Sequence, residues 1–144
     1  MSADALFRAA NLFALAGWVL LVFLPRWRWT TTLVLSGGFS LVLSAVYLVL
    51  VVLFFGSAEG NFSSLDGVHR LFHEPYVLLA GWVHYLAFDL FVGSWEVRDS
   101  WRRGVPHLLV IPCLGLTFMF GPVGLLAYSG LSWFWRGRGL NADD

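Results

Sequence analysis

Four long apolar runs divide the chain, at residues 5–24, 31–55, 76–95 and 106–131. Each has about 20 residues or more, enough for a helix to cross a hydrocarbon layer roughly 30 Å thick. Backbone groups find no water in that layer, so the runs predict helices rather than open strands. The expected fold is all-α: a four-helix bundle forming a single transmembrane domain over residues 1–144. Polar punctuation sets the boundaries. Arg8 stands near the start of the first run and Pro25 ends it; Pro25-Arg26-Trp27-Arg28-Trp29 is short enough to force an antiparallel return. Ala14-Leu15-Ala16 resembles a signal-peptide cleavage site, but the apolar run continues to Leu24, which favours a membrane helix. Asn11 is the one strongly polar side chain of the first run, and a hydrogen bond to a neighbouring helix is its expected role. Ser36, Ser40 and Ser44 form a small-residue stripe in the second run that lets helices approach closely, within the bundle or between copies.

The one long polar connection covers residues 56–75. Within it, Ser64 is expected to cap a short helix through Phe72, lying along the membrane surface. Pro75 suits the first turn of the third helix. Residues 96–105, with Arg98, Asp99, Arg102 and Arg103, read as a polar return. Pro112, Gly115, Gly121, Pro122 and Gly124 interrupt the fourth run, and such breaks bend a membrane helix, often beside a cavity.

Composition supports the membrane assignment. Only 12% of residues are charged and mean hydropathy is +0.73, where a soluble domain carries roughly 25% charged residues. Tryptophans cluster where helices meet headgroups: Trp27 and Trp29, Trp95 and Trp101, Trp133 and Trp135. Net charge is zero, which offers no footprint for nucleic acid. All nine basic residues are arginine, so no lysine can hold a Schiff-base cofactor. The single cysteine, Cys113, can form neither an internal disulfide nor a cysteine-ligated cluster. His69 and His73 share a helical face at a spacing that can hold a metal, but two ligands do not make a site, and neither metal nor cofactor is expected.

Candidate chemistry lies in the third run. A central aspartate in a membrane helix costs about 2.5–3.5 kcal/mol, so Asp89 should face protein or a polar cavity. His84 lies five positions earlier, about 140° away around the helix, so the two can flank a pocket but do not form an adjacent pair. Glu96 shares the Asp89 face two turns on, and His107 opens the fourth run on the same membrane side. The candidate acid/base residues are Asp89 and His84, with Tyr85, Glu96 and His107 secondary. Trp82, Phe88, Phe91, Trp95 and Phe120 are the candidate surface for an apolar ligand. Packing alone is the competing explanation for both sets.

The stretch His84-Tyr85-Leu86-Ala87-Phe88-Asp89-Leu90-Phe91, with Pro112-Cys113 and Phe120-Gly121-Pro122-Val123-Gly124, resembles the abscisic-acid-deficient-four-like family. Its plant members are known for neoxanthin synthesis, and bacterial relatives exist. The likeness covers about the last half of the chain. The resemblance implies carotenoid chemistry: isomerisation of a 5,6-epoxide such as violaxanthin to the allenic neoxanthin. It implies a carotenoid or other isoprenoid as partner. The plant proteins carry a chloroplast transit sequence that is not seen here, so a bacterial inner-membrane member is expected. Five arginines in the short loops against four elsewhere lean towards those loops being cytoplasmic.

Three function classes follow: a membrane carotenoid isomerase, a non-catalytic pigment- or lipid-binding accessory subunit, and a small transporter. Four helices are few for a transporter, so that reading needs a homo-oligomer.

Overall fold

The computed structural model describes residues 2–139, with side chains through Trp135. Among these residues there are six α-helices and no strand: α1 (Ala3–Phe23), α2 (Gly38–Phe54), α3 (Leu65–Leu71), α4 (Pro75–Arg103), α5 (His107–Phe120) and α6 (Pro122–Gly139). Among the described residues, three helical stretches are long and apolar enough to cross a membrane: Ala3–Phe23, Thr30–Ser57 and Pro75–Arg103. The chain falls into two compact units, one of Met1–Leu15 with Phe39–Phe88, the other of Ala16–Gly38 with Asp89–Asp144.

In the first unit, Asn11 accepts a hydrogen bond at 3.1 Å from the Trp82 indole and donates to the Phe7 carbonyl at 2.7 Å. This joins α1 to α4, the role expected of Asn11. Phe54 stacks on Tyr76 with ring centroids 4.1 Å apart, which ties the end of α2 to the start of α4. Ser64 caps α3 as its sequence predicts, accepting from the Gly67 amide at 3.0 Å. The serine stripe of the second run does not act as a continuous packing seam: Ser40 is buried, but Ser36 and Ser44 are exposed. Ser36 lies in a turn, because a π-helical segment at Thr30–Val34 ends before α2 begins at Gly38.

The second unit departs from expectation in two places. Helix α4 continues through the supposed return to Arg103, a length of 29 residues. The fourth run is two helices, not one span. α5 has 14 residues, about 21 Å at 1.5 Å each, short of a bilayer's hydrocarbon thickness. Contacts along α4 fix the directions. Glu96 meets Thr117 and Asp89 lies against Gly121, so α5 runs antiparallel to α4. If α6 continued the same way, Tyr128 would lie about 10 Å beyond Asp89 and away from Asp99. Instead the Tyr128 hydroxyl donates to Asp99 at 2.9 Å. The chain therefore turns back at Gly121, and α5 and α6 form a helical hairpin beside α4.

The glycines make that turn feasible. Gly121 has φ +42°, a conformation that favours glycine. A Cβ on Gly124 would collide with Thr117 Oγ1 and with the Thr117 amide nitrogen, so the two arms touch backbone to backbone. Pro122 begins α6 with its ring at the one position where a missing N–H costs least.

The connections at the other end of α5 are pinned to the unit. Ser94 and Arg98, one turn apart on α4, donate to the Val34 and Leu35 carbonyls. His107 Nε2 donates to the Val22 carbonyl at 2.9 Å, at the end of α1 just before Pro25. The Leu35 and Val22 carbonyls gain a partner that the helix end leaves them without, while the Val34 carbonyl also accepts from the Gly37 amide at 2.9 Å.

Candidate functional site

Helix α4 carries a line of acidic groups on the face it turns to the hairpin. Asp89, Glu96 and Asp99 are all buried, and Glu96 is fully inaccessible. Their spacing of seven and three residues keeps them near one side of the helix. Each meets a different part of the hairpin. Asp89 lies at the tip, where a Cβ on Gly121 would fall 2.6 Å from its Oδ1. Glu96 Oε1 accepts from the Thr117 hydroxyl of α5 at 2.8 Å, while its Oε2 is buried without a hydrogen-bond partner among the described residues. Asp99 Oδ2 accepts from Tyr128 of α6 and from the Arg103 guanidinium one turn on. Trp95 packs edge-on against the Tyr128 ring, centroids 5.4 Å apart.

These three carboxylates are not equivalent. Asp99 is neutralised by Arg103, which makes it a structural tie near the end of α4. Glu96 has a hydroxyl as its hydrogen-bond partner and one oxygen left over. A buried carboxylate so placed is costly as an anion and can take up or release a proton at Oε2.

The other candidates are placed as follows. His84 is on an exposed face of α4, its ring between Tyr47 and Phe88 at centroid distances of 5.4 and 4.6 Å. Tyr85 is half-buried beside Trp82, ring centroids 5.3 Å apart. His107 caps α1, as described. Trp82, Phe88, Phe91, Trp95 and Phe120 are all exposed, from 36% for Trp95 to 60% for Phe120. Trp82 also lines an apolar groove of about 430 Å³ in the first unit, with Phe7, Phe72, Pro75, Leu78 and Asp4. His69 and His73 meet edge to face at 4.6 Å on the α3 side, and no cluster of three or more metal-ligating side chains occurs among the described residues.

A family model, ABA DEFICIENT 4-like, matches residues 5–128. The chain belongs to this family. The matched region runs from α1 to Tyr128, so it includes Asp89, Glu96, Asp99 and the whole tip of the hairpin. No curated protein and no solved structure matches the chain. Two of the sequence stretches that carry the family likeness, the one containing Asp89 and the one containing Gly121-Pro122, meet at the Asp89–Gly121 contact.

Thr117 and Tyr128 are the site residues that the sequence pattern left unnoticed. With Gly121 and Gly124 they recur at intervals of four, three and four, a helical spacing in the sequence that the turn at Gly121 divides between α5 and α6. A polar or small residue at each such step of an otherwise apolar run is the signal that points to a polar partner.

Proposed function

We propose that this protein is a membrane enzyme that isomerises a carotenoid or related isoprenoid epoxide, with Asp89 and Glu96 as its acid and base. The observation that carries the reading is the pair of buried carboxylates on α4, held against the hairpin in a chain of the ABA DEFICIENT 4-like family. A central aspartate alone costs about 2.5–3.5 kcal/mol on insertion scales, a large cost for packing. In the reaction, the protonated carboxyl gives its proton to the epoxide oxygen as the carbon–oxygen bond breaks. The carboxylate takes a proton from the adjacent polyene carbon, and the electron pair left behind forms the second double bond of an allene. One proton is gained and one lost, so no oxidant or reductant enters. Exposed Phe91, Trp95 and Phe120 of the second unit offer aromatic faces to a polyene approaching from the lipid.

The proposed location is a bacterial inner membrane. With the hairpin returning, Arg26, Arg28, Arg98, Arg102, Arg103, Arg136 and Arg138 belong to one end of the second unit, and only Arg8 and Arg70 lie elsewhere. Seven against two favours a cytoplasmic placement of the short loops more strongly than the five-to-four count of a four-span chain.

The groove beside Trp82 favours a second reading, in which the protein holds a pigment or lipid without converting it. One experiment separates the two. Wild type and Asp89→Asn are purified in mild detergent, extracted with organic solvent and compared by absorption and mass spectrometry. A carotenoid or isoprenoid that changes identity in the variant supports conversion. The same compound in both supports binding alone, and an absence of any such compound from both folded proteins contradicts the isoprenoid assignment.

A further inference from the structure

The charge of the second unit is sorted by depth. Its acidic side chains with described positions, Asp89, Glu96 and Asp99, are all buried. Among the described side chains its exposed charges are therefore all positive. Arg103 is committed to Asp99, and Arg98 to the Leu35 carbonyl. Arg26, Arg28 and Arg102 remain exposed. Two of them are held by indoles: the Arg26 guanidinium lies over Trp101 and that of Arg28 over Trp29, each 5.8 Å from the ring centroid. Indoles settle at the boundary between acyl chains and headgroups. A guanidinium stacked on one keeps its edge N–H groups free, in the fork geometry that matches a phosphate.

The first unit has a mixed surface, with Arg8 exposed among acidic groups. Asp4, Glu59 and Asp66 are exposed there, and Arg70 is paired with Asp66 at 2.8 Å. The three exposed guanidiniums thus belong to the second unit. Phe23 and Leu24 directly precede the loop of Arg26 and Arg28 in the chain, Leu108 follows His107, which bonds to the Val22 carbonyl, and all three are exposed, 74%, 48% and 79% accessible. A free phosphate would have no use for them, whereas a phospholipid needs apolar surface directly below its headgroup.

We infer that Arg26, Arg28 and Arg102 form a docking surface for an anionic phospholipid, with the headgroup phosphate on the guanidiniums and the acyl chains along Phe23, Leu24 and Leu108. The surface selects anionic over zwitterionic lipid because no exposed carboxylate among the described side chains of this unit can balance its charge. It needs no turnover by the protein and stands apart from the carboxylates of α4.

The test uses the full chain in phosphatidylcholine vesicles containing a trace of spin-labelled phosphatidylglycerol or spin-labelled phosphatidylcholine. Electron paramagnetic resonance gives the fraction of each label immobilised by the protein. Wild type should favour phosphatidylglycerol about fivefold, the effect of one arginine near a charged lipid surface. The Arg26→Gln/Arg28→Gln/Arg102→Gln variant should immobilise both labels equally, while Arg8→Gln/Arg70→Gln keeps the preference. For wild type alone, 1 M sodium chloride should abolish the preference, because screening then acts within about 3 Å. Inorganic phosphate at matched ionic strength should do no more than chloride. Equal immobilisation of the two lipids by wild type, a preference that survives the triple substitution or the salt, or specific competition by inorganic phosphate would each overturn the assignment.

Discussion

Replacing Gly121 by alanine tests the hairpin at its tip. The substitution acts through two separate terms. The backbone at Gly121 has φ +42° and ψ −92°, outside the regions that residues with a Cβ favour, and such strain costs about 1–3 kcal/mol. The new methyl would also start 2.6 Å from Asp89 Oδ1, closer than real Cβ contacts come. Moving a buried side chain aside to admit it costs about another 1–3 kcal/mol. The expected loss is thus about 2–6 kcal/mol, a large part of the 5–15 kcal/mol that usually separates folded from unfolded chains. Denaturant titration in detergent, followed by tryptophan fluorescence, measures it. Gly115→Ala is the matched control: its Cβ would meet nothing within 4 Å, and a helical glycine gains about 0.5–1 kcal/mol on becoming alanine. In an Asp89→Ala background the steric term should disappear and only the backbone term remain. Wild-type stability for Gly121→Ala, or an equal loss with and without Asp89, would refute the close approach of tip and carboxylate.

Other consequences concern the arms of the hairpin, the α1–α4 tie and the topology. Gly124→Ala should prevent folding outright, because the atoms it meets include the Thr117 backbone, which cannot rotate away; size-exclusion chromatography shows whether a monodisperse species survives. Thr117→Val keeps shape but leaves Glu96 Oε1 without its donor, and should cost about 1–3 kcal/mol in the same denaturant assay. Trp82→Phe and Asn11→Ala should each lose about 0.5–1.5 kcal/mol, with the double variant well short of the sum, since both remove one hydrogen bond. In a Cys113→Ala background, Ser2→Cys and Trp133→Cys should react with an impermeant maleimide from opposite faces of a vesicle, whereas a fourth span would expose both on one face.

Much of the helix-level order is legible in the residues. Pro25, Ser64 and Pro75 act by local backbone chemistry, so they mark the end of α1, the cap of α3 and the start of α4 without knowledge of the fold. Asn11 is legible for a similar reason: a lone amide in an apolar helix has to find a partner. The direction of the chain after Gly121 is not a local property. Hydropathy is the same for a bent span and for a hairpin, and only the sequence Gly-Pro, a helix stop followed by a helix start, distinguishes them. The extension of α4 to Arg103 was hidden by charge. Glu96, Asp99 and Arg103 suggest a solvated loop by composition, yet their spacing of three and four places them on one helical face. His84 and Asp89 illustrate the same limit. Their separation around the helix is readable, but that His84 is exposed among aromatic rings while Asp89 is buried depends on which elements pack where.

In the proposed reaction, Asp89 and Glu96 exchange protons with an isoprenoid epoxide. The most direct measurement is the rate at which purified protein in detergent converts violaxanthin to an allenic product, compared among wild type, Asp89→Asn, Glu96→Gln and His84→Ala, each shown to be folded. General acid–base groups contribute about 10²–10⁴-fold, so the two carboxamide variants should fall by at least about a hundredfold, and His84→Ala should stay within a few fold of wild type. Conversion at the wild-type rate by folded Asp89→Asn and Glu96→Gln would contradict the account.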